Sequence, residues 1–247
     1  MKLTFLGSGG SSVSAKRACP SIVVDDELLF DLGPGSLRNL RISGLNPESL
    51  STVFISHCHA DHISDLVPFL WAIQIDGRKN PLQVYGPQGF RWIFQKLLEC
   101  TCTPNDFFKF PLTISELDFG QRAEKVQTCG TVHAVPTLAF RIESLGKSIC
   151  YSADTTYCPS VVELARNVDL LVHEATFLED QLNIAQLTKH STARMAGRAG
   201  KEAHAKRLAL FHIPPPNEHR ENEFHSEAKD AYGSEIQIGT DLATIEF

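Results

Sequence analysis

No stretch of this chain holds the roughly 18 consecutive apolar residues that a membrane-crossing helix needs. Nor is there a surplus of positive charge. Lys and Arg number 23 against 29 Asp and Glu, a formal net charge of −6, so no global field attracts nucleic acid, although a local basic patch is allowed. The seven cysteines, Cys19, Cys58, Cys100, Cys102, Cys129, Cys150 and Cys158, are odd in number and scattered, and none forms a Cys-x-x-Cys pair. That argues against a disulfide framework and against a thiolate zinc site, and leaves reduced thiols in the cytoplasm as the expectation. The opening Met1-Lys2-Leu3-Thr4-Phe5-Leu6-Gly7 turns polar and Gly-rich too soon for a signal peptide. Internal repeats, low-complexity tracts and Pro/Gly linkers are also lacking. With 43% apolar and 21% charged residues the chain is not disordered, collagenous or coiled-coil, and one domain over residues 1–247 is expected.

What is present is an ordered series of short elements. Residues 2–6, 21–24 and 28–32 read as strands, with Gly7-Ser8-Gly9-Gly10 as a turn between the first two. A short helix is expected over 36–42, stopped by Gly44, and a buried strand over 52–55. One helix is then predicted from Asp61 to Ile75, with Leu66, Leu70 and Ile73 on one side. A strand over 82–85 and an amphipathic helix over 88–100 follow. The aromatics Phe69, Trp71, Phe90, Trp92 and Phe94 fall at core spacing. Strands are predicted at 126–133, 138–143, 148–152, 170–173 and 207–212, and helices at 159–166 and 191–205. Residues 236–238 and 243–247 read as a final hairpin. Hairpins followed by alternating strand and helix imply sheets covered by helices.

The strongest signal is Ser56-His57-Cys58-His59-Ala60-Asp61-His62, directly after the strand 52–55. With ten His and thirteen Asp, chance yields His-x-His-x-Asp-His roughly once in a thousand such sequences. Side chains at i and i+2 of an extended segment point the same way, so His57 and His59 can hold one ion. Asp61 and His62, at a helix start, can face a second. Further candidates end or follow predicted strands: His133, Asp154, His173 with Glu174, and His212. The carboxyl ends of strands are where functional groups of α/β sheets collect.

These pieces resemble the metallo-β-lactamase superfamily, and within it the ribonuclease Z (tRNA 3′-processing endonuclease) branch. The resemblance runs from Phe5-Leu6-Gly7-Ser8-Gly9 through the His-x-His-x-Asp-His motif and Ser152-Ala153-Asp154-Thr155 to Leu210-Phe211-His212. His173-Glu174-Ala175-Thr176-Phe177 and His190-Ser191-Thr192 point to the branch. What the resemblance implies is an αββα sandwich, two mixed β-sheets flanked by helices, with a two-zinc centre at one edge. It places His57, His59 and His133 on the first ion, Asp61, His62 and His212 on the second, and Asp154 between them. Manganese or iron would suit the same donors. Two ions about 3.5–4 Å apart clamp the attacking and leaving oxygens of a displacement and ionise a water near neutral pH. Asp61 would accept that water's proton. Glu174 would orient His190 toward the scissile group, where it acts on the transition state or the leaving oxygen. His173 is expected to pack beneath the site, and His204, His219 and His225 to be solvated. A homodimer is also implied.

Two departures from the branch stand out. The interval from His133 to Asp154 is filled by two strands and a turn at 144–146, where relatives carry a long tRNA-gripping arm. After His212 the chain reads Ile213-Pro214-Pro215-Pro216-Asn217-Glu218, with no Arg-Tyr pair. The expected activity is a metal-dependent phosphodiesterase acting on an RNA 3′ end or on a small or cyclic nucleotide diester. Arylsulfatase and lactonase chemistry are the alternatives within the fold, and a metal-binding protein without turnover is the alternative outside enzymes. Arg194, Arg198 and Lys201 form a stripe at helical spacing, read as a solvated face that could bind phosphates.

Overall fold

The computed structural model describes residues 1–104 and 106–247. The first sheet and its helices come from the leading part of the chain: β1 (Lys2–Gly7), β2 (Ser21–Val24), β3 (Leu28–Phe30), α1 (Ser36–Ser43), β4 (Thr52–Phe54), α2 (Ala60–Ile63), α3 (Leu66–Ile75), β5 (Leu82–Gly86), α4 (Phe90–Cys100) and β6 (Leu112–Glu116). The second comes from β7 (Arg122–Ala123), β8 (Val126–Gly130), β9 (Leu138–Ser144), β10 (Lys147–Tyr151), α5 (Pro159–Leu164), β11 (Leu170–Glu174), α6 (Leu182–Thr188), α7 (Ala193–Glu202), β12 (Leu208–Phe211), α8 (Glu221–Tyr232) and β13 (Gln237–Ile238). The last strand, β14 (Thr244–Glu246), returns to the first sheet.

Apolar residues on both faces of the strands dictate four layers, because each sheet needs cover on two sides. Phe5, Ile22, Phe30 and Phe54 from the first sheet meet Leu138, Phe140, Tyr151, Val172 and Phe211 from the second in one core between the sheets. Their chain neighbours Leu6, Val23, Leu29 and Val53 point outward, under Leu40, Phe69, Leu70 and Phe90 of α1, α3 and α4. On the far side Cys150, Leu171 and Leu210 face Val161, Ala196, Ala199 and Phe224 of α5, α7 and α8. The result is an αββα sandwich of two mixed seven-stranded sheets, ordered β14-β1-β2-β3-β4-β5-β6 and β13-β12-β11-β10-β9-β8-β7. In each sheet the strands of one half run parallel, β3 to β6 and β10 to β13, and the carboxyl ends of these strands face one edge of the sandwich.

Four expectations are corrected. The helix predicted from 61 to 75 is two helices, α2 and α3. A continuous helix would place Pro68 in its interior, where it has no N–H for the Ser64 carbonyl. The break puts Pro68 in the first turn of α3, and the Leu32 carbonyl takes the Asp65 N–H at 2.8 Å. The strand expected over 126–133 ends at Gly130, which leaves His133 in the following loop. Trp92 is 68% exposed, whereas Phe69, Phe90 and Phe94 are buried, and Trp71 stacks on Phe107 at 4.1 Å. The terminal hairpin does not form: β13 pairs with β12 in one sheet, β14 with β1 in the other. Between them Asp241 fixes the crossing. Its carboxylate accepts Ser8 N–H at 2.9 Å, Ser8 Oγ–H at 2.7 Å, Ala18 N–H at 2.7 Å and Asn39 Nδ2–H at 2.7 Å.

Helix α8 lies in a stretch too polar to show an apolar period, yet it buries Phe224, Ala228 and Tyr232. It packs on α7 through small residues. A Cβ on Gly197 would stand 2.4 Å from the Ala228 carbonyl oxygen, which is backbone and has no room to yield. Gly197→Ala is therefore expected to cost about 1–3 kcal/mol, read as a lower urea midpoint at unchanged slope. Gly200→Ala, whose nearest new contact is Tyr232 Cδ2 at 3.2 Å, is the milder control.

Candidate metal centre

At the carboxyl edge of the parallel strands the structure collects side chains from six segments. His57 and His59 lie on the stretch between β4 and α2, Asp61 and His62 in α2, and His133 in the loop after β8. Asp154 follows β10, Glu174 ends β11, His190 separates α6 from α7, and His212 follows β12. Two groups of four possible ligand atoms result, His57, His59, His133 and Asp154, and Asp61, His62, Asp154 and His212. Asp154 belongs to both. Its Oδ1 stands 3.3 Å from His62 Nε2 and from His212 Nε2, and its Oδ2 stands 3.6 Å from His57 Nε2.

The outward hydrogen bonds settle which nitrogen of each ring carries the proton. Asp31 Oδ2 can only accept, so His62 Nδ1 donates to it at 2.9 Å. The Lys189 carbonyl likewise accepts His133 Nδ1–H at 3.2 Å. Ser56 Oγ gives its proton to Asp31 Oδ2 at 2.8 Å and so accepts from His57 Nδ1 at 3.0 Å. Thr176 Oγ gives its proton to Glu174 Oε2 at 2.9 Å and so accepts from His212 Nδ1 at 2.9 Å. Four Nε2 lone pairs are thereby aimed inward.

These lone pairs crowd. His59 Nδ1 is 3.1 Å from His57 Nε2 and 3.2 Å from His133 Nε2, and His62 Nε2 is 3.4 Å from His212 Nε2. Nitrogens in a tetrahedral shell with metal–nitrogen bonds near 2.0–2.1 Å are separated by about 3.3 Å. Asp154 Oδ1 is buried with no hydrogen-bond donor, an orphaned acceptor that a cation would satisfy. The donor set of imidazoles and carboxylates fits borderline divalent ions. Cys58 does not join it: burial first, then Asp31, pushes its thiol up to about 12, and it packs toward the helices of the first sheet.

Beside this cluster, His190 Nδ1 donates to Glu174 Oε1 at 2.8 Å. Burial opposes a charge on His190, but Glu174 outweighs it and raises the imidazole to about 9. Burial likewise opposes charge on Glu174, and His190 holds it below the usual carboxylate range. Glu174 is fully buried and further fixed by the N–H groups of Thr155 at 3.0 Å and Thr176 at 3.1 Å. His173 lies apart from both groups, its Nδ1 donating to the Glu174 carbonyl at 2.8 Å. His204 and His219 are exposed, and His225 sits 3.6 Å from Glu235. Two members of the basic stripe are engaged elsewhere, Arg194 at 4.0 Å from Glu179 and Arg198 at 2.7 Å from Glu202, and Lys201 is exposed.

Sequence reasoning missed Asp31, Ser56 and Thr176, which aim the imidazoles, and Lys189. Asp31 accepts Ser56 N–H at 2.7 Å and Tyr151 OH at 2.8 Å in addition to Ser56 Oγ and His62. The available signal was a buried-type strand ending in an acidic residue, Phe30-Asp31-Leu32. The backbone gave none: Asp31, Ala153, Lys189 and His212 all have positive φ, between 50° and 69°. Such residues cluster at functional sites. Gly10 is required here too, since a Cβ on it would meet His212 Nδ1 at 2.2 Å.

Residues 27–213 match the beta-lactamase superfamily domain. Ribonuclease Z of Myxococcus xanthus is 27% identical, over all of this chain and 97% of that protein. That alignment runs over 303 positions, so the relative has segments with no counterpart among these 247 residues. Among solved structures, the metallo-β-lactamase fold protein YhfI from Bacillus subtilis is 29% identical with a TM-score of 0.85, covering 100% of this chain and 99% of its own. Human tRNase Z, short form, is 26% identical with a TM-score of 0.83 at the same coverage. The domain match takes in most strands of both sheets and all nine residues gathered at their common edge, so the chain belongs to the beta-lactamase superfamily, in its metallo-β-lactamase fold.

Proposed function

We propose that this chain is a dinuclear metal-dependent phosphodiesterase acting on an RNA 3′ end or a small or cyclic nucleotide diester. His57, His59 and His133 would hold one ion and Asp61, His62 and His212 the other, with Asp154 common to both groups. The observation that carries the reading is the pair of four-donor groups sharing one buried carboxylate whose Oδ1 has no hydrogen-bond donor. The ribonuclease Z relatives support the phosphodiester class. Zinc is the metal assigned, with manganese and iron(II) as the alternatives to load. The proposal includes one domain, a homodimer and a cytoplasmic location. The free cysteines agree with that location. Among the described residues no helix is long and apolar enough to cross a membrane.

The chemistry that two divalent ions supply in such a site is charge neutralisation at the phosphoryl oxygens and a lowered pKa for water. The chain's own groups do the rest. Asp61 Oδ2 is fixed by the Ser11 N–H at 2.9 Å, which leaves the carboxylate in place to orient the attacking water and take its proton. His190 is held by Glu174 through Nδ1, so its Nε2 is the atom that can deliver a proton to the leaving oxygen.

The deciding experiment compares kcat/KM for a precursor tRNA with that for bis(p-nitrophenyl) phosphate, using zinc-loaded protein and a chelator-treated control. Turnover of either, lost with the metal, supports the reading. Silence on both, with sulfate esters or lactones consumed, overturns it. His190→Ala is expected to lower kcat about 10²–10⁴-fold while metal content by elemental analysis stays at the wild-type value. Loss of metal in that variant would place His190 among the ligands instead. Asp31→Asn turns an acceptor of four hydrogen bonds into a group that also carries donors. It should weaken metal affinity about 10–100-fold in competition with a chelator, at a folded circular-dichroism signature.

A further inference from the structure

Lys189 closes α6 in the left-handed conformation, with φ 58° and ψ 45°. A side chain there costs roughly 1–3 kcal/mol, and glycine is the ordinary occupant. The residue also grips His133 twice. Its carbonyl accepts His133 Nδ1–H at 3.2 Å, and its Nζ donates to the His133 carbonyl at 3.3 Å. Glycine would supply the first contact without strain. Only a long cationic side chain supplies the second.

The ammonium carries three protons, of which this bond uses one. Among the described residues Lys189 forms no ion pair with a carboxylate, and its side chain is exposed. Other cations of this half of the chain are committed: Arg194 to Glu179, Arg198 to Glu202 and Arg220 to Asp180 at 2.7 Å. The segment after His212, Ile213-Pro214-Pro215-Pro216-Asn217, brings no positive charge to the site. A cation is thus tethered to the backbone of a candidate ligand, next in sequence to His190, with two donors unspent.

We infer that Lys189 contacts the substrate, donating to a non-bridging oxygen of a tetrahedral oxyanion, the phosphate group of the diester. The His133 carbonyl holds the ammonium in position. This rests on the function proposed above for its substrate class, and strain at one residue buys a charge that a glycine cap would lack.

The test uses inorganic phosphate as the probe, titrated calorimetrically into metal-loaded wild type, Lys189→Gly and Lys189→Arg. Metal content and urea midpoint are measured on the same samples. Lys189→Gly is expected to bind phosphate about tenfold more weakly with metal content unchanged, and Lys189→Arg to recover part of the loss. In turnover of bis(p-nitrophenyl) phosphate, KM should rise about tenfold in Lys189→Gly with kcat within about twofold, the pattern of a binding contact. Equal phosphate affinity in wild type and Lys189→Gly, or no phosphate binding by wild type, overturns the inference. So does loss of metal from Lys189→Gly, which would mean that the lysine acts only through His133. If phosphate binds through Lys189 but no phosphodiester is hydrolysed, the proposed function fails and the anion contact stands.

Discussion

Four imidazoles of this centre, those of His57, His62, His133 and His212, give their outer N–H to oxygens that the fold has already fixed, and that constraint organises the molecule. Asp31 is the clearest case. It sits at the end of β3, accepts from Ser56 beyond β4 and from Tyr151 at the end of β10, and aims His62. The same carboxylate therefore spans the two sheets and sets a ring. Thr176 does the equivalent at the other side, relaying between Glu174 and His212. Rearranging any one of these oxygens would rotate a lone pair away from the others. Polar networks buried this deeply specify one arrangement when every member is satisfied.

Much of this was legible beforehand. Short strands apolar on both faces, alternating with helices, imply helices outside and a core between sheets, and Phe30, Phe54, Phe140 and Tyr151 occupy that core. The His-x-His-x-Asp-His spacing announced ion binding without any knowledge of the fold. What could not be read has physical reasons. β13 and β14 look like a hairpin because strand pairing is non-local, and only Asp241's four hydrogen bonds reveal that the chain crosses between sheets. α8 carries its buried face on three residues in a polar stretch, too sparse for a periodic signal. The break between α2 and α3 is marked by Pro68, whose missing N–H fits the first turn of a helix and not its interior. Asp31 and Thr176 are single polar residues whose work lies in angles that no sequence spacing encodes.

The left-handed residues add a second layer. Asp31, Ala153, Lys189 and His212 each accept an uncommon backbone conformation beside a site side chain. None is glycine, so the strain persists only because the surrounding strands and hydrogen bonds over-determine it. The dense aromatic core is what makes that tolerable: Phe30 lies 5.0 Å from Phe54 and 5.2 Å from Phe140, centroid to centroid. Rigidity in the middle of the sandwich permits discomfort at its rim.

The crossing at Asp241 also bears on how the protein is made. β1 lies between β2 and β14, so once made it keeps one open edge until residues 244–246 have been synthesised. Ser8 and Ala18, in the loop that leads from β1 toward β2, wait equally long for their acceptor, since Asp241 arrives with the same segment. The second sheet, whose strands all come from the later half of the chain, has no such delay. During translation the nascent molecule carries an exposed edge beside the glycine-rich turn, and chaperones that shield strand edges would find it there.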